Sequence, residues 1–323
     1  MPEIGIQTEE SSFDIMNHQK INLEELNTLI LSGGFLSGYF YLGLSKFIFE
    51  HNLKDQIKTY IGSSVGGLFG LFMILDYNQD EIVDLFLDKT MNYYENFNYL
   101  NIINFNSQFG IDNGEKISEL YKNILGLKTG NPYINFKSLF DLTSKNYIIT
   151  GTNISKNNTT YYFSYKTTPD MPIWLALRIS TSFPLFYTMI KYKGDYFIDG
   201  GVSNNVPIEG FEEFFNINLF LKENRKHVLI LLLHKFDEYT NNENEHISDN
   251  KYNFLSYLHK IIGSLKFQDN YKLKKYKMNV IDYFFDIKLK KNNLVPYKEN
   301  INKDDILKYI ECGYNLTRKY FNK

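Results

Sequence analysis

Apolar residues along this chain switch several times between a strand-like and a helix-like period. Residues 27–31 form a short apolar run that ends in Ser32-Gly33-Gly34, after which Phe40, Leu44, Phe47 and Ile48 recur at helical spacing. The pattern predicts a strand, a glycine turn and a helix. It repeats at once: residues 57–61 have the β-branched and aromatic content of a strand, and 65–75 read as an apolar helix rich in small residues. A further helix carries Ile82, Leu85 and Phe86 on one face behind the acidic start Gln79-Asp80-Glu81. Ile117, Leu120, Tyr121 and Ile124 mark another. Residues 147–150 and 161–165 predict a strand pair around an Asn-rich turn, 196–198 a short strand, 227–233 a buried strand, and 304–320 a closing amphipathic helix. The segment 91–109 follows neither period and reads as a cap or loop, and 237–250 reads as a polar surface loop.

Strands alternating with helices imply βαβ units, hence a largely parallel sheet covered on both faces. No internal repeat or strong linker divides the chain, and 323 residues at 43% apolar content can bury a sizeable core. The expected organisation is a polar tail over 1–24, a core over 25–210, and a C-terminal part of the same domain over 211–323.

Charge and cysteine content narrow the function. A formal net charge of −2 with no strongly basic arm sets nucleic-acid binding aside. The single cysteine, Cys312, permits no intrachain disulfide, and the first residues lack a basic start followed by an apolar run, so a reducing, cytoplasmic setting is expected. For the same reason the sequons at Asn153, Asn157 and Asn158 are discounted. The longest apolar run, 228–233, is too short to span a bilayer. Aromatics and isoleucines in 91–109 suit a lipid-facing cap as well as an ordinary packed lid, and Lys272, Lys274, Lys275 and Lys277 suit anionic headgroups as well as a solvated face.

The chemistry begins at the second strand–helix junction. Gly62-Ser63-Ser64-Val65-Gly66 fits G-x-S-x-G, in which glycines let a strand turn sharply into a helix and expose the middle hydroxyl above the sheet. Ser64 is therefore the candidate nucleophile, although the pentapeptide alone also suits an ordinary βα turn. A serine hydroxyl needs a base. Among the downstream histidines only His234, at the end of the buried strand, stands where a triad histidine belongs. A better partner is Asp199, which a short strand delivers into the turn Gly200-Gly201. The oxyanion of an ester-hydrolysis intermediate also needs preorganised N–H donors, and the turn Gly33, Gly34, Phe35, Leu36, Ser37 and Gly38 supplies them where a helix opens. A dinucleotide fingerprint does not fit, because Phe35 stands where its second glycine belongs.

These elements, in this order, resemble the patatin-like phospholipase family. The likeness covers about residues 27–210: the Gly-rich loop 33–38 with Gly43 in step, the elbow at Gly62–Gly66, and Asp199-Gly200-Gly201 followed by Asn205 and Pro207. Between them, residues 176–186, ALRISTSFPLF, resemble the family's A-x-x-A-S-x-A-x-P-x-x-F segment. The resemblance implies a three-layer α/β fold with a mostly parallel central sheet and helices on both faces. It implies a Ser64–Asp199 dyad, an oxyanion hole in loop 33–38, no metal or cofactor, a lipid or phospholipid substrate, and transient peripheral contact with membranes. Two positions depart from the family's Gly-Gly-Gly-x-Arg-Gly: Phe35 replaces the third glycine and Ser37 the arginine. A positive φ at position 35 would cost a phenylalanine about 1–3 kcal/mol. The alternatives are a catalytically silent lipid-binding or host-interaction module on the same fold, and a Ser64–His234 esterase of the α/β-hydrolase type.

Overall fold

In a computed structural model of the protein, residues 21–87, 109–219, 221–233, 278–283 and 303–322 are described. The opening follows the predicted order: β1 (Thr28–Leu31), a 3-10 turn (Phe35–Tyr39), α1 (Phe40–Glu50), β2 (Thr59–Gly62), α2 (Val65–Ile74) and α3 (Gln79–Leu87). Next come β3 (Gly110–Asp112), α4 (Glu115–Thr129), α5 (Phe136–Thr143), β4 (Asn146–Asn153), β5 (Thr159–Phe163) and α6 (Ile173–Ser180). The remainder includes β6 (Leu185–Tyr187), β7 (Ile190–Tyr192), β8 (Asp195–Asp199), α7 (Ile208–Phe215), β9 (Val228–Leu233), β10 (Asn279–Tyr283) and α8 (Lys303–Phe321). Residues 91–108, the loop 237–250, His234 and the Lys272–277 cluster lie outside the described residues.

The main sheet runs β10-β9-β1-β2-β4-β8-β7, with β5 also on β4. Pairing is parallel from β10 to β4 and antiparallel for β5, β7 and β8. The central strands are apolar on both sides, as a doubly covered parallel sheet requires. Leu29, Leu31, Tyr60, Ile149 and Leu231 face α1 to α6 and α8, and Ile30, Ile61, Ile148 and Ile230 face α7. The result is the expected three-layer α/β arrangement.

Three local features refine this picture. Ile21, placed in the polar tail, is buried, and the Asn22 side chain caps a 3-10 turn at Leu23–Glu25, so ordered packing begins before residue 25. The expected short strand at 196–198 forms as part of β8 and runs antiparallel to β4 within the mostly parallel sheet. A separate two-stranded sheet, β3 with β6, was not expected, because strands of three residues leave no periodic trace.

The C-terminal helix α8 lies against α1 at a crossing that only glycine permits. A Cβ on Gly43 would meet Ile310 O and Tyr314 N at 2.3 Å, and one on Gly313 would meet Phe40 O at 2.3 Å. With the backbones this close, Phe40 packs edge-on to Tyr309 (5.1 Å between ring centres) and Phe47 stacks on Phe321 (5.4 Å). Gly43→Ala should destabilise the protein by about 1–3 kcal/mol, toward the upper end because the obstructing atoms are backbone, and lower its Tm in thermal unfolding. An unchanged Tm would contradict the crossing.

Cys312 lies on α8 and packs against the same core. Burial, reinforced by Glu311, pushes its thiol up to about 11. The thiolate is the reactive form, so Cys312 should react slowly with Ellman's reagent at pH 8 and rapidly once urea unfolds the chain. Equal rates in both states would contradict the packing.

Candidate active site

The site grows from the way β4 holds two strands end to end. Ile149 of β4 pairs with Gly62 of β2 on one edge and with Phe163 of β5 on the other. Two residues further along, Gly151 pairs with Tyr161 of β5 and with Asp199 of β8. Because β5 occupies one edge from Ile149 to Asn153, β2 and β8 share the other and meet head to head. The chain leaving β2 and the chain leaving β8 therefore turn out of the sheet at the same level.

At the end of β2 the elbow forms as its spacing predicts. Ser63 N–H donates to Leu31 O (3.1 Å), and Gly66 N–H returns to Ser63 O (2.9 Å). A Cβ on Gly66 would strike Leu31 O at 2.3 Å, so helix α2 can approach β1 only with glycine there. Ser64 sits at φ 52°, ψ −126°, a conformation L residues seldom adopt. Ser63 is fully buried, whereas Ser64 is only half-buried at the turn. The Ser64 N–H donates to Ser180 Oγ (2.9 Å) at the end of α6.

At the end of β8, Asp199 is fixed through its backbone. Its N–H donates to Ser182 O (2.9 Å), and its carbonyl accepts from Thr152 Oγ1 (2.7 Å). Its side chain, 5% exposed, accepts from Gly201 N–H through Oδ1 (2.7 Å) and from the Ser64 hydroxyl through Oδ2 (2.7 Å). Gly200 and Gly201 open the 3-10 turn Gly200–Val202. The two side chains singled out in the sequence thus share one hydrogen bond.

The loop after β1 lies beside them. Gly33 is so close that a Cβ there would sit 3.0 Å from Ser64 Cβ. Its N–H, however, donates to Asn205 Oδ1 (3.1 Å), which takes Gly33 off the list of available donors. Gly34 is extended at φ −177°, and Phe35 opens a right-handed 3-10 turn that runs through Leu36, Ser37 and Gly38. Position 35 therefore needs no positive φ, and phenylalanine there carries no such strain. The foot of the loop is held by the Tyr41 hydroxyl, which donates to Ser32 O (2.9 Å) and Leu231 O (3.1 Å).

Sequence reasoning gave no role to Arg178, Ser180 and Ser182, although all three lie in the segment 176–186. The buried Arg178 guanidinium donates to Ser182 Oγ, to Asn113 O (3.1 Å) and to Thr188 O (3.2 Å). Desolvation pulls its pKa down, opposed by Tyr187, Tyr121 and Asp112. Arg178 thereby braces the turn whose Ser182 carbonyl holds Asp199. Tyr121 stands nearby, its pKa raised to about 12 by burial and kept from rising further by Thr181 and Arg178, with Asp199 adding to the rise. It stays a neutral phenol. Since Thr181 donates to Leu177 O, the Tyr121 hydroxyl donates to Thr181 Oγ1 (2.9 Å). The described histidines, His51 and His227, contact the carbonyls of Phe47 and Glu25. Among the described residues no three His, Cys, Asp or Glu side chains group as a metal ion would need.

Comparison with known proteins adds a lineage to this geometry. A probable lipid hydrolase, 463L, of Invertebrate iridescent virus 6 is 32% identical over 207 residues, which is 62% of this chain and 66% of that protein. Protein R571 of Acanthamoeba polyphaga mimivirus is 31% identical over 196 residues, 60% of this chain and 64% of that one. The chain thus spans just under two thirds of the length of these relatives. Among solved structures, VipD from Legionella pneumophila superposes with a TM-score of 0.50 at 14% identity, over 92% of this chain and 67% of that one, a likeness of fold. The model of the patatin-like phospholipase family matches residues 29–212, a stretch that holds the glycine loop, the elbow, the segment 176–186 and Asp199, and the chain belongs to that family.

Proposed function

We propose that the protein hydrolyses carboxylic esters of lipids, in the manner of a phospholipase A, with Ser64 as nucleophile and Asp199 as general base. The observation that carries this reading is the 2.7 Å hydrogen bond from Ser64 Oγ to Asp199 Oδ2, made at a half-buried elbow beside a glycine loop. Ser64 Oγ bonds to the acyl carbon as its proton passes to Asp199 Oδ2 and the carbonyl electrons move to oxygen. Collapse of that intermediate expels the alcohol, which takes the proton from Asp199, and leaves an acyl-serine. Water, deprotonated by the same carboxylate, then releases the fatty acid.

The oxyanion falls to the loop 33–38. With Gly33 N–H engaged by Asn205 and Ser37 N–H by Gly34 O (3.1 Å), the donors are the amides of Gly34, Phe35 and Leu36. These stand at the opening of a 3-10 turn that leads into α1, where peptide N–H groups lack partners of their own. A lipid substrate accords with the family and with the viral relative named a probable lipid hydrolase. No helix among the described residues is long and apolar enough to cross a membrane, so the reading has the enzyme meet lipid peripherally and transiently.

Two outcomes test the assignment. A fluorophosphonate probe should label wild type and Ser63→Ala but not Ser64→Ala; Ser63 Oγ has no hydrogen-bond partner among the described residues, so its removal should cost little. Labelling that persists in Ser64→Ala would defeat the reading.

Asp199→Asn keeps the shape but loses the basic oxygen, and kcat should fall by about 10² to 10⁴ with the fold intact by circular dichroism. Because the base must be ionised, kcat/KM should rise with pH along a single acidic limb and show no inflection near 6.5, where histidine titrates. An inflection there that vanishes in His234→Ala would transfer the role to histidine.

A further inference from the structure

Gly33 and Asn205 are 172 residues apart, yet they pair as two backbone amides do in a sheet. Gly33 N–H donates to Asn205 Oδ1 (3.1 Å), and Asn205 Nδ2 donates back to Gly33 O (3.3 Å). The side chain is 5% exposed, so water competes poorly for either bond. Its oxygen also lies at a junction. A Cβ on Gly33 would stand 2.7 Å from Asn205 Oδ1 and 3.0 Å from Ser64 Cβ. A Cβ on Gly201 would stand 2.9 Å from the same Asn205 oxygen and 3.1 Å from Asp199 Oδ1. Loop, nucleophile and acid turn converge on one amide.

From this geometry we infer that Asn205 is the positioning residue that locks the oxyanion loop to the acid turn, and so sets where the loop's free amides point relative to Ser64. The inference rests on the catalytic reading of Ser64 and Asp199 given above. Its chemistry is specific: the task needs an acceptor and a donor on two separate atoms of a short side chain, which asparagine has; ionised aspartate lacks the donor, serine carries both on a single atom, and alanine has neither. The anchor behind it is firm. Asn204 Nδ2 donates to Tyr162 Oη and Glu209 Oε2, both at 2.9 Å, and Pro207 leads into α7, so the amide is presented from a tethered stretch of chain. By consuming Gly33 N–H, Asn205 also fixes the orientation of the peptide from which the next amides follow. Without it the substrate would still bind, but the donors would no longer meet the developing charge.

The test compares Asn205→Ala, Asn205→Asp and Ser64→Ala with wild type, using a chromogenic ester and a trifluoromethyl ketone that forms a hemiketal on the active serine. Asn205→Asp keeps the size and the acceptor for Gly33 N–H but cannot donate to Gly33 O, so it serves even where the alanine variant fails to fold. Both Asn205 variants should lose about 10²-fold in kcat with KM within about threefold, the signature of lost transition-state donors rather than lost binding. The ketone's Ki should rise in step with the fall in kcat/KM. Asn205→Asp should also move the acidic limb to higher pH, because it sets a second carboxylate beside Asp199. A folded Asn205→Asp enzyme with kcat within about threefold of wild type, or a loss confined to KM with unchanged ketone affinity, would overturn the inference while leaving the nucleophile assignment intact. An active Ser64→Ala enzyme would instead remove the reading beneath it, and the inference with it.

Discussion

The hydrogen bond between Ser64 and Asp199 joins residues 135 positions apart, and it exists because β4 is long enough to carry two strands on one edge. The parallel strand β2 stops at Gly62 and the antiparallel strand β8 stops at Asp199, so their ends face each other across a short gap. The proposed chemistry is set in that gap. The pairing acts as a ruler with a unit of one residue: a slip of a single position would turn Asp199 to the opposite face of the sheet and leave Ser64 with no partner. Gly151 opposes such a slip of β4, because a Cβ at its place would stand 2.8 Å from both Ile179 and Phe163, and the shift would bring a flanking threonine there.

A second constraint is the backbone of Ser64. A non-glycine residue held at φ 52°, ψ −126° stores about 1–3 kcal/mol of strain, which the surroundings must offset. They do so from α6, whose Ser180 accepts the Ser64 amide and whose following turn supplies Ser182 O to the Asp199 amide. One helix end thus supports both partners, and the buried Arg178 ties that end to the loop after β3 and to Thr188. Rigidity is shared between Ser64 and Asp199, and their separation is a property of one element.

Much of this was legible in the chain. The change of period at residues 31–40 and 61–65 marks two strand–turn–helix units, because the apolar positions serve different faces before and after the glycines. Ser64 and Asp199 stand out since their turns demand glycine around a reactive side chain. What was hidden depends on partners far away in sequence. The role of Gly43 is visible only once α8 lies across it, and Asn205 reads as a motif letter until Gly33 is beside it. Phe35 misled in the other direction: a missing glycine suggests strain, but the turn at that position is right-handed and accepts any residue. The β3–β6 pair left no trace, as three-residue strands are too short for alternation to register.

The glycine crossing of α1 and α8 carries a consequence for biosynthesis. Helix α1 leads out of the loop that flanks Ser64, yet the surface that seals it is made by residues 303–321, which leave the ribosome long after strands β1 to β9. Until then Phe40 and Phe47 lack their ring partners Tyr309 and Phe321, and the loop ahead of them lacks its backing. A nascent chain can hold the elbow and the acid turn and still be without a finished site. On the catalytic reading of Ser64 and Asp199, hydrolytic competence would then arrive only late in translation.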